Sequence, residues 1–225
     1  ELPFHDPLLE HSGRKQISSP PQHSFDVRAA MRGCDVVFHA AAAYAHTARD
    51  VSGWVRSSAH QMRTVLAAAR SEAGKLIYTS SLTTIGLPGQ AGRLADERDW
   101  YVPGTTNSAY YEAKFAMEME AWRAAAEGLP LVVVNPTAVF GPGDIKPTTG
   151  EALLRVAKGQ FPFYFDAVVN SVDVRDVARA HIAAVERGRV AQRYILGGHN
   201  LTLLEQLTAA ARAAGVAPPQ WKIPR

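Results

Sequence analysis

From residue 25 onward, short apolar runs alternate with longer stretches of helical spacing. Residues 25–31 form one helical stretch that ends near Gly33. Residues 35–40, Asp-Val-Val-Phe-His-Ala, make a compact run suited to a strand buried on both faces. Residues 51–69 return to helical spacing, with Trp54, Met62, Val65 and Leu66 as expected core contacts. A strand is predicted over 76–80, then a long helix over 109–127, rich in the good helix formers Ala, Glu, Met and Lys. Gly128, Leu129 and Pro130 stop that helix, residues 131–135 supply a third buried strand, and Pro136 ends it. This rhythm predicts an α/β fold with a parallel sheet covered by helices on both sides. Beyond Pro142 the pattern loosens: helices over 151–158, 175–187 and 203–214, the last capped by Gly215, with extended pieces at 171–174 and 194–198. Residues 1–24, punctuated by Pro3, Pro7, Gly13, Pro20 and Pro21, read as an irregular arm.

Composition narrows the function classes. With 47% hydrophobic residues the chain can bury a real core, so disorder over most of its length is excluded. No apolar run reaches the roughly 18 residues of a membrane helix; the longest, 36–44, is half that and carries His39. The first four residues do not resemble a secretory signal. Cys34 is the only cysteine, which excludes an internal disulfide and fits a cytoplasmic setting. The net charge of +3 comes from 24 basic residues scattered among 21 acids, a solvated surface rather than a nucleic-acid face. No His, Asp or Glu spacing matches a metal-ligand set.

Candidate chemistry concentrates in four segments. In 108–114, Tyr110 and Lys114 stand four apart in a helical stretch and share one face. An ammonium beside a phenol stabilises the phenolate and makes tyrosine a better acid or base near neutrality. A surface lysine beside a core tyrosine has the same spacing. In 78–86 a hydroxyl cluster follows a predicted parallel strand, where open α/β sheets place ligands. Ser81, and less directly Thr83, could hold a substrate oxygen there; a turn satisfying its own backbone fits as well. Ala40, Ala41 and Ala42 follow His39 at the end of the first strand, where small side chains admit a flat cofactor or simply pack. Residues 135–144 follow the third strand, and their prolines and glycines are expected to shape a loop rather than a core element. The aromatic run 161–165 reads as a packing cluster before a pocket, His181 and His199 as satisfied or surface histidines, and Asp173 and Asp176 as helix-start caps.

In order, these segments are Gly-Cys-Asp-x-Val-Phe-His-x-Ala-Ala, Thr-Ser-Ser, Tyr-x-x-x-Lys and Asn-Pro-Thr-x-Val-Phe-Gly-Pro-Gly-Asp. From residue 25 to the end, the chain resembles the extended short-chain dehydrogenase/reductase family. Within it, the chain is similar to the NAD-dependent epimerase/dehydratase branch, near dihydroflavonol-reductase-like and nucleotide-sugar-epimerase-like proteins. The resemblance implies a Rossmann-like doubly wound parallel sheet over 25–142. It also implies a smaller substrate-binding region over 143–225 that contributes part of the sheet. It implies Tyr110 as general acid/base, Lys114 as the group that lowers its pKa and binds the nicotinamide ribose, and Ser81 as the group that orients the substrate oxygen. Ala40, Ala41 and Ala42 would line the cofactor trough, and Pro136, Thr137 and Val139 would face the nicotinamide of NAD or NADP. The expected function is an oxidoreductase or epimerase moving a hydride at a carbinol or carbonyl centre of a nucleotide sugar or other small molecule. A homodimer is implied, and neither nucleic acid nor membrane is an expected partner.

The chain departs from the family at three places. The glycine-rich turn that cradles the pyrophosphate does not occur in these 225 residues, and Gly13 is the one glycine before residue 25. Ser58 stands where the family carries a helical asparagine. The closing helices after Arg225 are not in this text. A partial chain, a shortened relative and a rebuilt entry strand all accommodate these differences, and a non-catalytic binding or sensing domain is the alternative function. If the sheet starts with the strand at 35–40, its edge is expected to be covered by a partner or a second copy.

Overall fold

A computed structural model describes residues 24–42, 50–144 and 150–224. The predicted arm thus lies outside the described residues except for Ser24, which already opens a helix, α1 (Ser24–Met31). The central element is a four-stranded sheet of β1 (Cys34–His39), β2 (Ala73–Thr79), β3 (Leu131–Pro136) and β7 (Gln192–Leu196), in that order and parallel throughout. The strands' two-residue periodicity decides which helices they meet. Leu76, Tyr78, Leu131 and Val133 face one side, where they pack with Val27 and Met31 of α1, with Met62, Val65 and Leu66 of α2 (Val51–Glu72), and with Met117 and Ala121 of α3 (Ala109–Ala126). Ile77, Val132 and Val134 face the other, against Ala184 of α5 (Val174–Arg187). The sheet is therefore doubly covered, as its continuous apolar strands require.

The alanines of α3 allow this helix to lie close to both α2 and the sheet: Ala113, Ala121, Ala124 and Ala125 are all buried. Ion pairs Arg63–Glu120, 2.8 Å, and Arg70–Glu127, 2.5 Å, join the outer faces of α2 and α3. On the opposite face, the Lys75 ammonium of β2 donates to the carbonyls of Ala184, Val185 and Gly188 at 2.7 to 3.2 Å, closing the C-terminus of α5.

Four expectations need correction. The strand near residue 36 is not buried on both faces: β1 is paired only with β2 among the described residues, and Phe38 is 48% exposed. Trp54 is only half-buried, whereas Met62, Val65 and Leu66 are in the core. The segment after Pro136 is not simply a loop, because β4 (Ala138–Phe140) pairs in parallel with β6 (Val168–Asp173). β6 in turn pairs antiparallel with β8 (His199–Thr202), giving a second, three-stranded sheet. The aromatic run 161–165 divides: Phe161 and Tyr164 pack against Val156, Leu207 and Ala211, while Phe163 and Phe165 remain exposed. Val156 lies on α4 (Glu151–Ala157), and Leu207 and Ala211 on α6 (Leu203–Ala214). A two-residue pairing of β5 (Phe163–Tyr164) with β9 (Trp221–Lys222) closes this unit. Asp173 caps α5 as expected, accepting from the Arg175 N–H at 2.8 Å.

Candidate active site

The carboxyl ends of β1, β2 and β3 meet the start of α3, and the candidate residues collect there. Ser81 follows β2 and begins a single 3-10 turn, Leu82–Thr84. Its hydroxyl oxygen accepts from the Thr83 N–H at 3.2 Å, which leaves the hydroxyl proton for another acceptor. The Tyr110 hydroxyl lies 3.5 Å from the same oxygen, a spacing that can tighten around a substrate oxygen. Lys114 follows one helical turn later and is only 6% exposed. Burial lowers its pKa from 10.5 to about 8, opposed by the Glu118 carboxylate one turn further along α3. It is still mostly charged at pH 7, so a positive charge is held in the same helix one turn from Tyr110. Tyr78 is fully buried, and desolvation pushes its pKa upward, so Tyr110 is the better placed phenol for proton transfer.

His39 closes β1 behind this group, stacked on Tyr78 with ring centroids 5.7 Å apart. Its pKa falls to about 4, first through burial and then through the Lys114 charge, and its Nε2 has no hydrogen-bond partner among the described residues. His39 is therefore neutral at pH 7. The Thr83 hydroxyl is likewise buried without a partner among the described residues. Ala40 and Ala41 are exposed past the end of β1, and Ala42 packs on the main core. Pro136 ends β3. The Thr137 N–H and hydroxyl both donate to the Leu196 carbonyl, at 3.2 and 3.3 Å, and Val139 is half-buried in β4. The structure thus brings Ser81 and Tyr110 together with Lys114 one turn along, while Thr137 is engaged in joining strands. Ser58, at the position of the family's asparagine, is buried on α2.

Residues 21–197 match the model of the NAD-dependent epimerase/dehydratase family. The chain belongs to that family. Among its relatives is a Synechocystis sp. protein named "Putative dihydroflavonol 4-reductase", 39% identical over 206 residues, which span 88% of this chain and 60% of that protein. The crystal structure of gox2253 superposes with a TM-score of 0.82 at 34% identity, covering 89% of this chain and 62% of that one. The Thermus thermophilus UDP-glucose 4-epimerase, solved with NAD, gives a TM-score of 0.73 at 27% identity, over 90% of this chain and 69% of that one. This member of the epimerase/dehydratase family thus spans less than two thirds of the curated relative's length.

Sequence reasoning missed several polar residues around the site. Glu118, Asn135 and Arg193 are all buried. The Asn135 side-chain N–H donates to the Ser81 carbonyl at 3.1 Å and to Glu118 at 3.0 Å. The Glu118–Arg193 ion pair, 3.1 Å, is almost wholly removed from solvent. Glu118 had a readable signal, since it continues the Tyr110–Lys114 stripe by one more turn; Arg193 had none. His181 is satisfied as expected, its Nε2 2.8 Å from the Thr79 hydroxyl and its Nδ1 2.7 Å from the Val177 carbonyl. Among the described residues no helix is long and apolar enough to cross a membrane.

Proposed function

We propose that the protein is a nicotinamide-dependent oxidoreductase or epimerase acting at a carbinol or carbonyl centre of a small molecule, with Tyr110 as its acid/base. The observation that carries this reading is a buried, mostly charged Lys114 one turn from Tyr110, whose hydroxyl stands 3.5 Å from Ser81.

The residues present fit the nicotinamide-ribose end of NAD or NADP. Among the described residues Ala40 and Ala41 are exposed at the end of β1, and the Thr83 hydroxyl after β2 is a polar group with no described partner. The pyrophosphate cradle has no counterpart among the described residues. When bound, the nicotinamide supplies the hydride chemistry. In the reductive direction the Tyr110 phenol gives its proton to the substrate oxygen, and the Lys114 ammonium stabilises the phenolate that remains. The Ser81 hydroxyl donates to the same oxygen and fixes its position. In the oxidative direction the phenolate takes the carbinol proton. Desolvation around Lys114 strengthens its effect on the phenol, because charge interactions grow as water is excluded. The dihydroflavonol reductase and UDP-glucose epimerase relatives support ketones and nucleotide sugars as substrate classes. A homodimer through α2 and α3 is part of this reading, and sedimentation checks it.

The test is Tyr110→Phe in the full natural chain, assayed with NADH and NADPH against a dihydroflavonol, and with NAD against UDP-glucose. Turnover is expected to fall at least about a hundredfold, while calorimetric titration of the nucleotide stays nearly unchanged. Undiminished turnover refutes the assignment. If the unaltered chain binds none of the four nicotinamide nucleotides, the binding-domain reading takes its place.

A further inference from the structure

We infer that the buried Glu118–Arg193 ion pair is a positioning device that holds the Ser81 turn in place against α3. This inference rests on the reading of Ser81 and Tyr110 as the reacting pair.

Glu118 is fully buried on α3. Its carboxylate accepts from five side chains: Ser80 at 2.5 Å, Thr84 at 2.6 Å, Asn135 at 3.0 Å, Arg193 at 3.1 Å and Trp122 at 3.2 Å. Ser80 immediately precedes Ser81, and Thr84 ends the turn that Ser81 begins. Asn135 carries the connection onward, its second amide N–H donating to the Ser81 carbonyl at 3.1 Å. One carboxylate on the Tyr110–Lys114 stripe therefore grips both ends of the segment that presents Ser81.

Arg193 acts from β7 on the other end of the same segment. It donates to the Thr84 carbonyl at 3.4 Å and to those of Glu97 and Asp99, both at 2.8 Å, and its guanidinium lies 3.7 Å from the centre of the Trp100 ring. The backbone at Thr84 to Gly86 pairs with that at Asp99 to Tyr101. The ion pair thus links α3, β7, the Ser81 turn and the 97–101 loop in one network. A hydrophobic pair would stabilise the fold as well or better, since burying two charges costs about what their attraction returns. What an apolar pair could not do is fix the orientation of two hydroxyls, an amide and three carbonyls at once.

The test uses the full natural chain and two variants, Glu118→Gln and the double Glu118→Gln/Arg193→Met. The double variant avoids stranding a buried guanidinium if the single one does not fold. The first readout needs no substrate: amide hydrogen exchange at Thr83, Thr84 and Ile85, which donate to Ser81 and Leu82. Exchange at these amides is expected to rise about tenfold or more relative to Leu76 of β2, as a local opening rather than a global one. The second readout is a double-mutant cycle on kcat with NADPH and a dihydroflavonol, or with NAD and UDP-glucose. The Glu118 and Arg193 changes should lower kcat about tenfold in the unaltered background and hardly at all in a Ser81→Ala background, with the nucleotide KM within about twofold. Unchanged relative exchange at the three amides, or an equal loss of kcat in both backgrounds, overturns the inference. A chain that turns over neither substrate before any change contradicts the proposed function instead, and the exchange readout then decides the positioning role alone.

Discussion

Replacing Lys114 by methionine should make the protein more stable and catalytically silent. Lys114 is buried, and its pKa falls from 10.5 to about 8 because desolvation outweighs the attraction of Glu118. At about 1.4 kcal/mol per tenfold change in proton affinity, holding the charged form in the fold costs ~3 kcal/mol at pH 7. The sign follows from proton counts. Between pH 8 and 10.5 the unfolded chain keeps the lysine proton and the folded chain has lost it, so stability rises with pH across that window. Below pH 8 both states are protonated and the penalty is present in full. Methionine has similar length and no charge. Glu118 would not be orphaned, because Arg193 and four neutral donors remain.

Urea unfolding at pH 7 and pH 9.5 measures the effect. From pH 7 to 9.5, Lys114 alone should add ~2 kcal/mol to the unaltered protein and nothing to Lys114→Met, so the difference between the two slopes isolates this side chain. At pH 7 the variant should be the more stable by up to ~3 kcal/mol. A variant that is less stable at pH 7 and keeps the same gain at pH 9.5 would falsify the claim that this ammonium is held desolvated. The charge that strains the fold would then not be the one that serves Tyr110.

The histidine behind the site titrates in the opposite part of the scale. His39 is held at about 4, so between pH 6.5 and 4 the unfolded chain binds a proton that the fold refuses. Acidification over that range should cost ~3 kcal/mol through this residue; His39→Phe, which preserves the stack on Tyr78, should show a correspondingly flatter acid limb in pH-dependent urea midpoints. Lys75→Met removes three hydrogen bonds at the C-terminus of α5. Discounted for partial exposure, the loss should be about 2 kcal/mol, read as a lower urea midpoint, with faster amide exchange at Gly188, whose N–H closes the last turn of α5. An unchanged midpoint would show that water replaces the ammonium without cost.

The parts of this structure that could be read from the text are those whose cause is local. Residues 76–78 and 131–134 are continuous apolar runs because both faces of β2 and β3 meet helices, and that pattern is visible without knowing which helices. Asp173 and Tyr110–Lys114 were legible for the same reason, since capping and one-turn spacing need only neighbours in sequence. The errors have distant causes. Ala138–Phe140 becomes a strand only because Ser171–Asp173 lies beside it, and Phe38 is exposed because nothing described pairs with the outer edge of β1. Arg193 is the clearest case. An arginine between Gln192 and Tyr194 reads as a solvent-facing strand residue, and its burial is made tolerable by Glu118, 75 positions earlier, together with the Glu97 and Asp99 carbonyls. That pairing also explains why the candidate site can be both polar and dry. Lys114 is desolvated because the strand ends around it are packed down, and they can be packed down because Glu118 and Arg193 satisfy the hydroxyls, amide and carbonyls that would otherwise call in water. The recognisable tyrosine and lysine thus depend on an arginine that no local pattern marks.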